Sequence, residues 1–359
     1  MQTSASNPPA ASGGAFSFAG FPLAQHGRVM LVAETGTTCN GDLATTLRLI
    51  DAVADAGVDA IKFQLINPEA FMSDRSVKYS YDWGQGQRAQ ENMFEMFQKL
   101  RFTEEQWRQI CEHCRARNLP VFATVDYLDG IDLARRLDFC AIKIGSWDIR
   151  AMPLLRKAAA AGLPLVLDLG PAHLAEIDRA VEVIRGEGND RIVLLHCTHS
   201  TTDEEVNLRT IPYLAETFKC PVGYSADTRD DVPDLVSIGL GACMIEKRVT
   251  LDAGFAGHHH NKAVEPAELK EWVKRVRRAE RQRGAAAVKP SREDLRLRSQ
   301  FFVSLTAARD LPAGKVIESS DLICKRPGTG IDPDLAHLLV GRTLRTGVAS
   351  DQQLAWDMV

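Results

Sequence analysis

Eight short apolar runs recur along the chain, at residues 29–34, 60–64, 121–125, 141–145, 165–169, 192–197, 221–225 and 244–249. Between them apolar residues return at helical spacing. Leu43, Leu47, Ile50 and Val53 mark one such face, and Gly57 stops that helix before the next run. Thr103-Glu104-Glu105-Gln106 reads as a helix start, with Thr103 as cap and Gln106 as its reciprocal partner. Strand–helix units repeated eight times over about 250 residues predict a (β/α)8 TIM barrel of the α/β class. In that fold, functional groups sit at the C-terminal ends of the strands.

The ends of these runs are polar. They supply Glu34, Lys62 with Gln64, Thr124 with Asp126, Lys143 with Ser146, Asp168, His196 with Thr198, Ser225 with Asp227, and Glu246-Lys247-Arg248. A core strand has no packing reason to end so often in an ionisable side chain, so a shared site at the barrel mouth is expected. Two lysines, Lys62 and Lys143, at the same end of nearby strands point to an anion site. Residues 67–101 are too long for a simple connection. With Tyr79, Tyr81 and Trp83 at their middle, they read either as a cover over the mouth that contacts substrate or as a surface Ω-loop.

The domain boundaries follow from composition shifts. Residues 1–27 are rich in Ala, Ser, Gly and Pro and lack the basic start and apolar stretch of a signal peptide, so a flexible tail in a cytoplasmic protein is expected. The barrel is placed at 28–284, a linker at 285–298, and a small β-rich domain at 299–359. The last is near the lower size limit for folding alone and is expected to lean on the barrel or on a second subunit. The formal charge of −4 in 359 residues, with no long basic run, weighs against nucleic acid as a partner, and no apolar stretch could span a membrane. Cys111 and Cys114 match a CxxC spacing inside a predicted helix, with no second pair to follow, so a helix face is favoured over a zinc or redox site.

With these residues in place the chain resembles the sialic acid synthase family, which condenses phosphoenolpyruvate with an N-acetylated aldose. The resemblance rests on ordered motifs: Ala33-Glu34 through Asn40-Gly41-Asp42, Lys62-Phe63-Gln64, Lys143-Ile144 with Ser146, His196-Cys197-Thr198, Val206-Asn207-Leu208-Arg209, Gly223-Tyr224-Ser225, Ile245-Glu246-Lys247 and Thr250-Leu251-Asp252. Ala307-Ala308-Arg309-Asp310, Ala313-Gly314 and Lys325-Arg326-Pro327-Gly328-Thr329-Gly330 resemble the family's antifreeze-like (SAF) domain.

The resemblance implies a transferase of carbohydrate biosynthesis that forms a carbon–carbon bond. It puts Lys62, Thr124, Lys143, Ser146 and Ser225 around phosphoenolpyruvate, an anion that needs fixed cations and hydroxyl donors. Glu34 would position or deprotonate a water. Asp148, where the family has a glutamate, would contact the sugar, as would Gln64 and Asp252. Arg326 would reach the sugar's N-acetyl group from a partner subunit, which implies a domain-exchanged homodimer.

The chain departs from the family where a divalent metal, Mn²⁺ or Mg²⁺, is held by two histidines. Asp227 and Arg248 stand at those positions. The family's Ser-Thr-Gly after the fifth strand reads Asp168-Leu169-Gly170, and a carboxylate so near a phosphate needs a Lys or Arg partner. Three readings stay open. Arg248 polarises the aldehyde in place of metal; or the metal is rebuilt from Asp227 and a member of the His258-His259-His260 run, His260 being the candidate; or the chain is a catalytically altered member that binds an anionic sugar or a partner synthase. The retained Glu34, Lys62, Lys143 and Arg326 favour an enzyme making a nonulosonic-acid-like or related 3-deoxy-2-keto acid.

Overall fold

The computed structural model describes residues 15–84, 87–200, 202–225 and 227–359. The chain divides into two compact units, 1–284 and 285–359.

In the first unit eight parallel strands close into a barrel. In chain order they are Met30–Glu34, Ala60–Leu65, Val121–Val125, Ile142–Ile144, Leu165–Asp168, Ile192–Cys197, Val222–Ser225 and Met244–Arg248. Closure comes from the eighth strand pairing with the first, Met244 beside Met30 and Arg248 beside Glu34. Helices cover the outside. The first, Leu43–Ala56, is capped by the Asp42 carboxylate accepting from the Thr45 amide, and ends at Gly57 with φ +82°. Thr103 and Gln106 form the reciprocal cap expected at Glu104–Ala116, whose Cys111 and Cys114 are buried in the core.

Strand alternation sorts the side chains into two layers. Leu31, Ala33, Ile61, Phe63, Ile245 and their like face outward and pack against the helices. Met30, Val32, Ala60, Phe122, Val166, Val193, Leu195 and Met244 face inward and fill the barrel. The inward positions change from apolar to polar toward the C-terminal strand ends, so the same parity carries the core and the site.

Residues 16–23 are not the tail that composition suggested. Phe16–Phe18 and Phe21–Leu23 form an antiparallel hairpin. Phe18 and Leu23 are fully buried in the inner cluster, with the Phe18 ring 5.3 Å from Phe122 and edge-on to it. Burial of such side chains stabilises by about 1.5–3 kcal/mol each. The Ala, Ser and Gly around the hairpin masked its short apolar alternation. Residues 1–14 of the expected tail lie outside the described residues.

Residues 67–101 fold as a short helix (Pro68–Phe71), a hairpin (Lys78–Gly84 with Gln87–Asn92) and a helix (Met93–Leu100). In the second unit the expected linker also gains structure. A helix spans Arg292–Phe301, begun by a reciprocal cap between Ser291 and Asp294. Strands Ser304–Ala307 and Leu322–Lys325 pair antiparallel over a core of Leu305, Leu311, Ile317, Leu339, Leu344 and Leu354.

Candidate active site

A cavity of about 480 Å³ opens at the C-terminal end of the barrel. Of the residues expected at the site, Glu34, Lys62, Gln64, Thr124, Lys143, Ser146, Ser225, Asp227 and Arg248 line it. Asp168, Cys197, Glu246, His258 and His259 join them. The 67–101 insertion adds Tyr79, Met93, Met96 and Phe97, so it covers the mouth and is not a detached surface loop. Tyr79 and Tyr81 stack at 5.7 Å, and the Tyr79 hydroxyl lies 3.1 Å from His258 Nε2. Trp147 is exposed at the lip and stacks on His199 at 5.1 Å.

Glu34 and Arg248 are neighbours across the seam that closes the barrel. Arg248 Nη1 lies 2.6 Å from Glu34 Oε2, and Lys62 Nζ lies 3.3 Å from Glu34 Oε1. The Gly36 amide donates to Glu34 Oε1 at 2.8 Å. A Cβ on residue 36 would stand 2.7 Å from that oxygen, so only glycine permits the approach. Burial pushes the Glu34 carboxyl upward, but the charges of Arg248 and Lys62 and the Gly36 amide outweigh it and hold it down at about 2. So acidic a carboxyl is a poor base. Of the two roles expected for Glu34, its environment suits positioning a water rather than deprotonating it.

Lys143 answers the need for a partner to Asp168. Its ammonium lies 2.9 Å from Asp168 and 2.6 Å from Glu246. Burial opposes this charge, yet the two carboxylates hold Lys143 protonated well above the usual lysine range. An ammonium has three donors; the two carboxylates engage two, and no third hydrogen bond is found among the described residues. Asp168 Oδ1 and Glu246 Oε1 are buried without a hydrogen-bond partner among the described residues, which marks the region as built for a polar guest.

Asp148 does not line the cavity wall, but stands beside it, hydrogen-bonded to Asp126. Gln64 Nε2 donates to Asp126 Oδ2 at 3.2 Å. Burial raises both carboxyls, and the charge of Asp126 together with its hydrogen bond helps push Asp148 to about 7. The pair therefore shares a proton near neutral pH. Asp126 was visible as a strand end, but its pairing with a residue 22 positions later was not.

Other expected participants fall elsewhere. Asp252 turns back on its own loop, its Oδ1 accepting from the Gly254 amide at 2.8 Å, and does not line the cavity. Lys247 and His196 point outward, because alternation sends their neighbours Glu246, Arg248 and Cys197 inward. Lys247 meets Asp234 at 2.9 Å behind the barrel, and His196 Nε2 lies 2.7 Å from the Val206 carbonyl. Arg326 belongs to the second unit, where its Nε donates to the Phe301 carbonyl at 2.8 Å.

A divalent metal does not fit these donors. His260 has both ring nitrogens engaged, Nδ1 2.7 Å from Thr250 Oγ1 and Nε2 2.9 Å from Asn40 Oδ1, and it lies outside the cavity lining. Asp227 is ion-paired with Lys262 and with Arg248. His259 Nδ1 faces Arg248 Nη1 at 2.8 Å. Among the described residues, no three His, Cys, Asp or Glu side chains are grouped to hold an ion. A guanidinium, which has no lone pair to offer, stands in their midst.

A closed (β/α)8 barrel with fixed cations, hydroxyls and carboxylates at its mouth defines an enzyme for a polar, anionic substrate. The NeuB family model matches residues 49–287 and the SAF domain model residues 302–359. The chain is similar to the N,N'-diacetyllegionaminic acid synthase of Legionella pneumophila, 33% identical over 335 residues, 92% of this chain and 94% of that one. It is also similar to human N-acetylneuraminate-9-phosphate synthase, 26% identical over 92% of each chain. A crystal structure of N-acetylneuraminic acid synthetase from Leptospira borgpetersenii, in complex with citrate, superposes with a TM-score of 0.71 at 26% identity, covering 79% of this chain and 95% of that one. The chain belongs to the NeuB family of sialic-acid-type synthases and carries its SAF domain.

Proposed function

We propose that the barrel condenses phosphoenolpyruvate with an acetamido aldose in its open-chain form, giving a nonulosonic or related 3-deoxy-2-keto acid and phosphate. The observation that carries this reading is the convergence of Lys62, Lys143, Thr124, Ser146 and Ser225 on one cavity, cations and hydroxyls together. A substrate bearing both phosphate and carboxylate uses such a set. Lys143 approaches it with its third donor, Lys62 from the Glu34 side. The aldose lies toward Gln64 and the Asp126–Asp148 pair, whose oxygens suit a row of hydroxyls. Gly170 packs closely against Ser146, where a Cβ would stand 2.6 Å from the Ser146 Cβ.

Binding of phosphoenolpyruvate tests the cradle. Lys62→Met and Lys143→Met are expected to weaken it roughly 10–100-fold by calorimetry, as loss of charge-assisted hydrogen bonds does. Unchanged affinity in both variants would place the anion elsewhere.

The second substrate contact proposed is Arg326, offered by the SAF domain of a partner in a domain-exchanged homodimer. Its support is the family and the arginine's place in Lys325-Arg326-Pro327-Gly328. Sedimentation at twice the chain mass of 39.5 kDa would agree, and a monomer at working concentration would refute it. We further propose a cytoplasmic location, where the small phosphorylated substrate is found. No helix among the described residues is long and apolar enough to cross a membrane.

A further inference from the structure

We propose that the Arg248 guanidinium is the electrophile of this site, polarising the aldehyde carbonyl and holding the alkoxide as the carbon–carbon bond forms, so that the reaction needs no divalent metal. The inference rests on the condensation proposed above.

Arg248 is positioned for such work. It ends the eighth strand, lines the cavity, and is held from three directions. Nη1 touches Glu34 at 2.6 Å and His259 at 2.8 Å, and Nη2 reaches Asp227 at 3.5 Å. A guanidinium has five N–H donors in a rigid fork; hydrogen bonds to His259 and Asp227 use two, and Glu34 adds an ion pair. Nε is buried without a hydrogen-bond partner among the described residues. A buried, unpartnered donor beside a polar cavity is a group kept for a ligand.

The surroundings fix both charge and aim. Burial opposes the Arg248 charge, but Glu34 and Asp227 secure it. Burial and the Arg248 charge together hold His258 and His259 neutral, His258 at about 4. The two imidazoles therefore add no rival positive charge. Lys262 pairs with Asp227 from its other side, so Asp227 orients the fork without fully neutralising it. The same arrangement repels a metal, since a divalent ion at this point would face Arg248 and Lys262 together.

The step balances without redox chemistry. The π pair of the enol double bond forms the new bond from C3 to the aldehyde carbon. The carbonyl π pair moves onto oxygen, where the guanidinium stabilises it. Water adds at C2 and one of its protons ends on the alkoxide oxygen; the C2 hydroxyl then collapses to the ketone, the C2–O bond to phosphate breaks, and phosphate departs with the bridging oxygen and the second proton. Preorganised donors aimed at developing negative charge are the largest single term in many such reactions.

The test uses the full chain, stripped with EDTA and checked for metal content by mass spectrometry. Phosphate release from phosphoenolpyruvate is followed with N-acetylmannosamine and other acetamido aldoses. The expected rate is unchanged by stripping, and Mn²⁺ titrated into the protein shows no tight site by electron paramagnetic resonance. Arg248→Ala is expected to lower kcat about 10²–10³-fold, the loss seen when one oxyanion donor is removed. Added guanidinium, but not ammonium, should restore part of it. Arg248→Lys keeps the charge and the fold and should also lose kcat with little change in phosphoenolpyruvate KM. Release that collapses on stripping and returns with Mn²⁺ overturns the arginine assignment alone, as does full activity in Arg248→Lys. Wild-type protein that releases no phosphate with any aldose overturns the condensation, and the arginine's role with it.

Discussion

Asp126 and Asp148 flank Gly145, at which a Cβ would lie 3.5 Å from one carboxylate and 3.7 Å from the other. The shared proton places the titration of Asp148 near neutrality. The sign is fixed by the direction of the shift. Asp148 is raised, so the folded protein keeps a proton that the unfolded chain has already lost. Its contribution to stability is full below the ordinary aspartate range and is lost as pH rises through about 7. In Asp126→Asn the repelling charge is gone, and the Asp148 inflection is expected to fall toward ordinary values. Carboxyl ¹³C NMR of the labelled protein reads this directly. An inflection near 4 already in the wild type would dissolve the pair.

Most of the cavity lining was legible one residue at a time, because ionisable side chains at the ends of core strands have no packing reason to be there. Glu34, Lys62, Thr124, Lys143, Ser146, Ser225, Asp227 and Arg248 all reach one cavity. What could not be read was pairing. The sequence shows three consecutive histidines, but not that Thr250 and Asn40 engage both nitrogens of His260, or that Arg248 claims His259. Asp252 sits in a recognisable motif, yet its local turn uses its carboxylate.

At the scale of elements, alternation is the deciding rule. A strand ending Glu246-Lys247-Arg248 offers three charged residues, and parity admits only the first and third to the cavity. Lys247 goes the other way into full burial, with Asp234 at 2.9 Å, the Asp230 carbonyl at 2.6 Å, and Trp272 Nε1 donating to Asp234 at 2.7 Å. This ties the eighth strand to the helices Val232–Gly239 and Pro266–Arg283 outside it. Removing one partner leaves a bare charge in the core. Asp234→Ala is therefore expected to cost about 3–5 kcal/mol of unfolding free energy. Lys247→Met with Asp234→Leu should recover much of that loss. Urea titration checks both, and a loss under 1 kcal/mol in Asp234→Ala would deny the pair its structural role.

The elements that sequence patterning missed were short. The hairpin Phe16–Phe18 and Phe21–Leu23 has three residues per strand and lies in a low-complexity context. The helix Arg292–Phe301 is polar, with no fully buried residue, so no hydrophobic period announces it. Its one signal was the Ser291–Asp294 cap.

At the scale of the molecule, fold and family were visible because eight strand–helix units repeat and their polar ends fall in register at the mouth. The anion cradle, the covering insertion and the SAF domain belong to that plan. The departure that the sequence resemblance implies lies where Asp227 and Arg248 occupy the mouth and Asp168 joins Lys143. These substitutions alter how charge is managed without disturbing the barrel, since each sits on an inward position above the apolar core. The proposed reaction keeps the family's condensation of phosphoenolpyruvate with a sugar.

The direct measurement is ³¹P NMR of phosphate released in H₂¹⁸O, with phosphoenolpyruvate and an acetamido aldose together and each alone. The account predicts release only when both are present, and phosphate that carries no ¹⁸O shift, because water attacks carbon and the bridging oxygen leaves with phosphorus. An ¹⁸O-shifted phosphate signal would show attack at phosphorus, and either that or release from phosphoenolpyruvate alone would contradict a condensing enzyme.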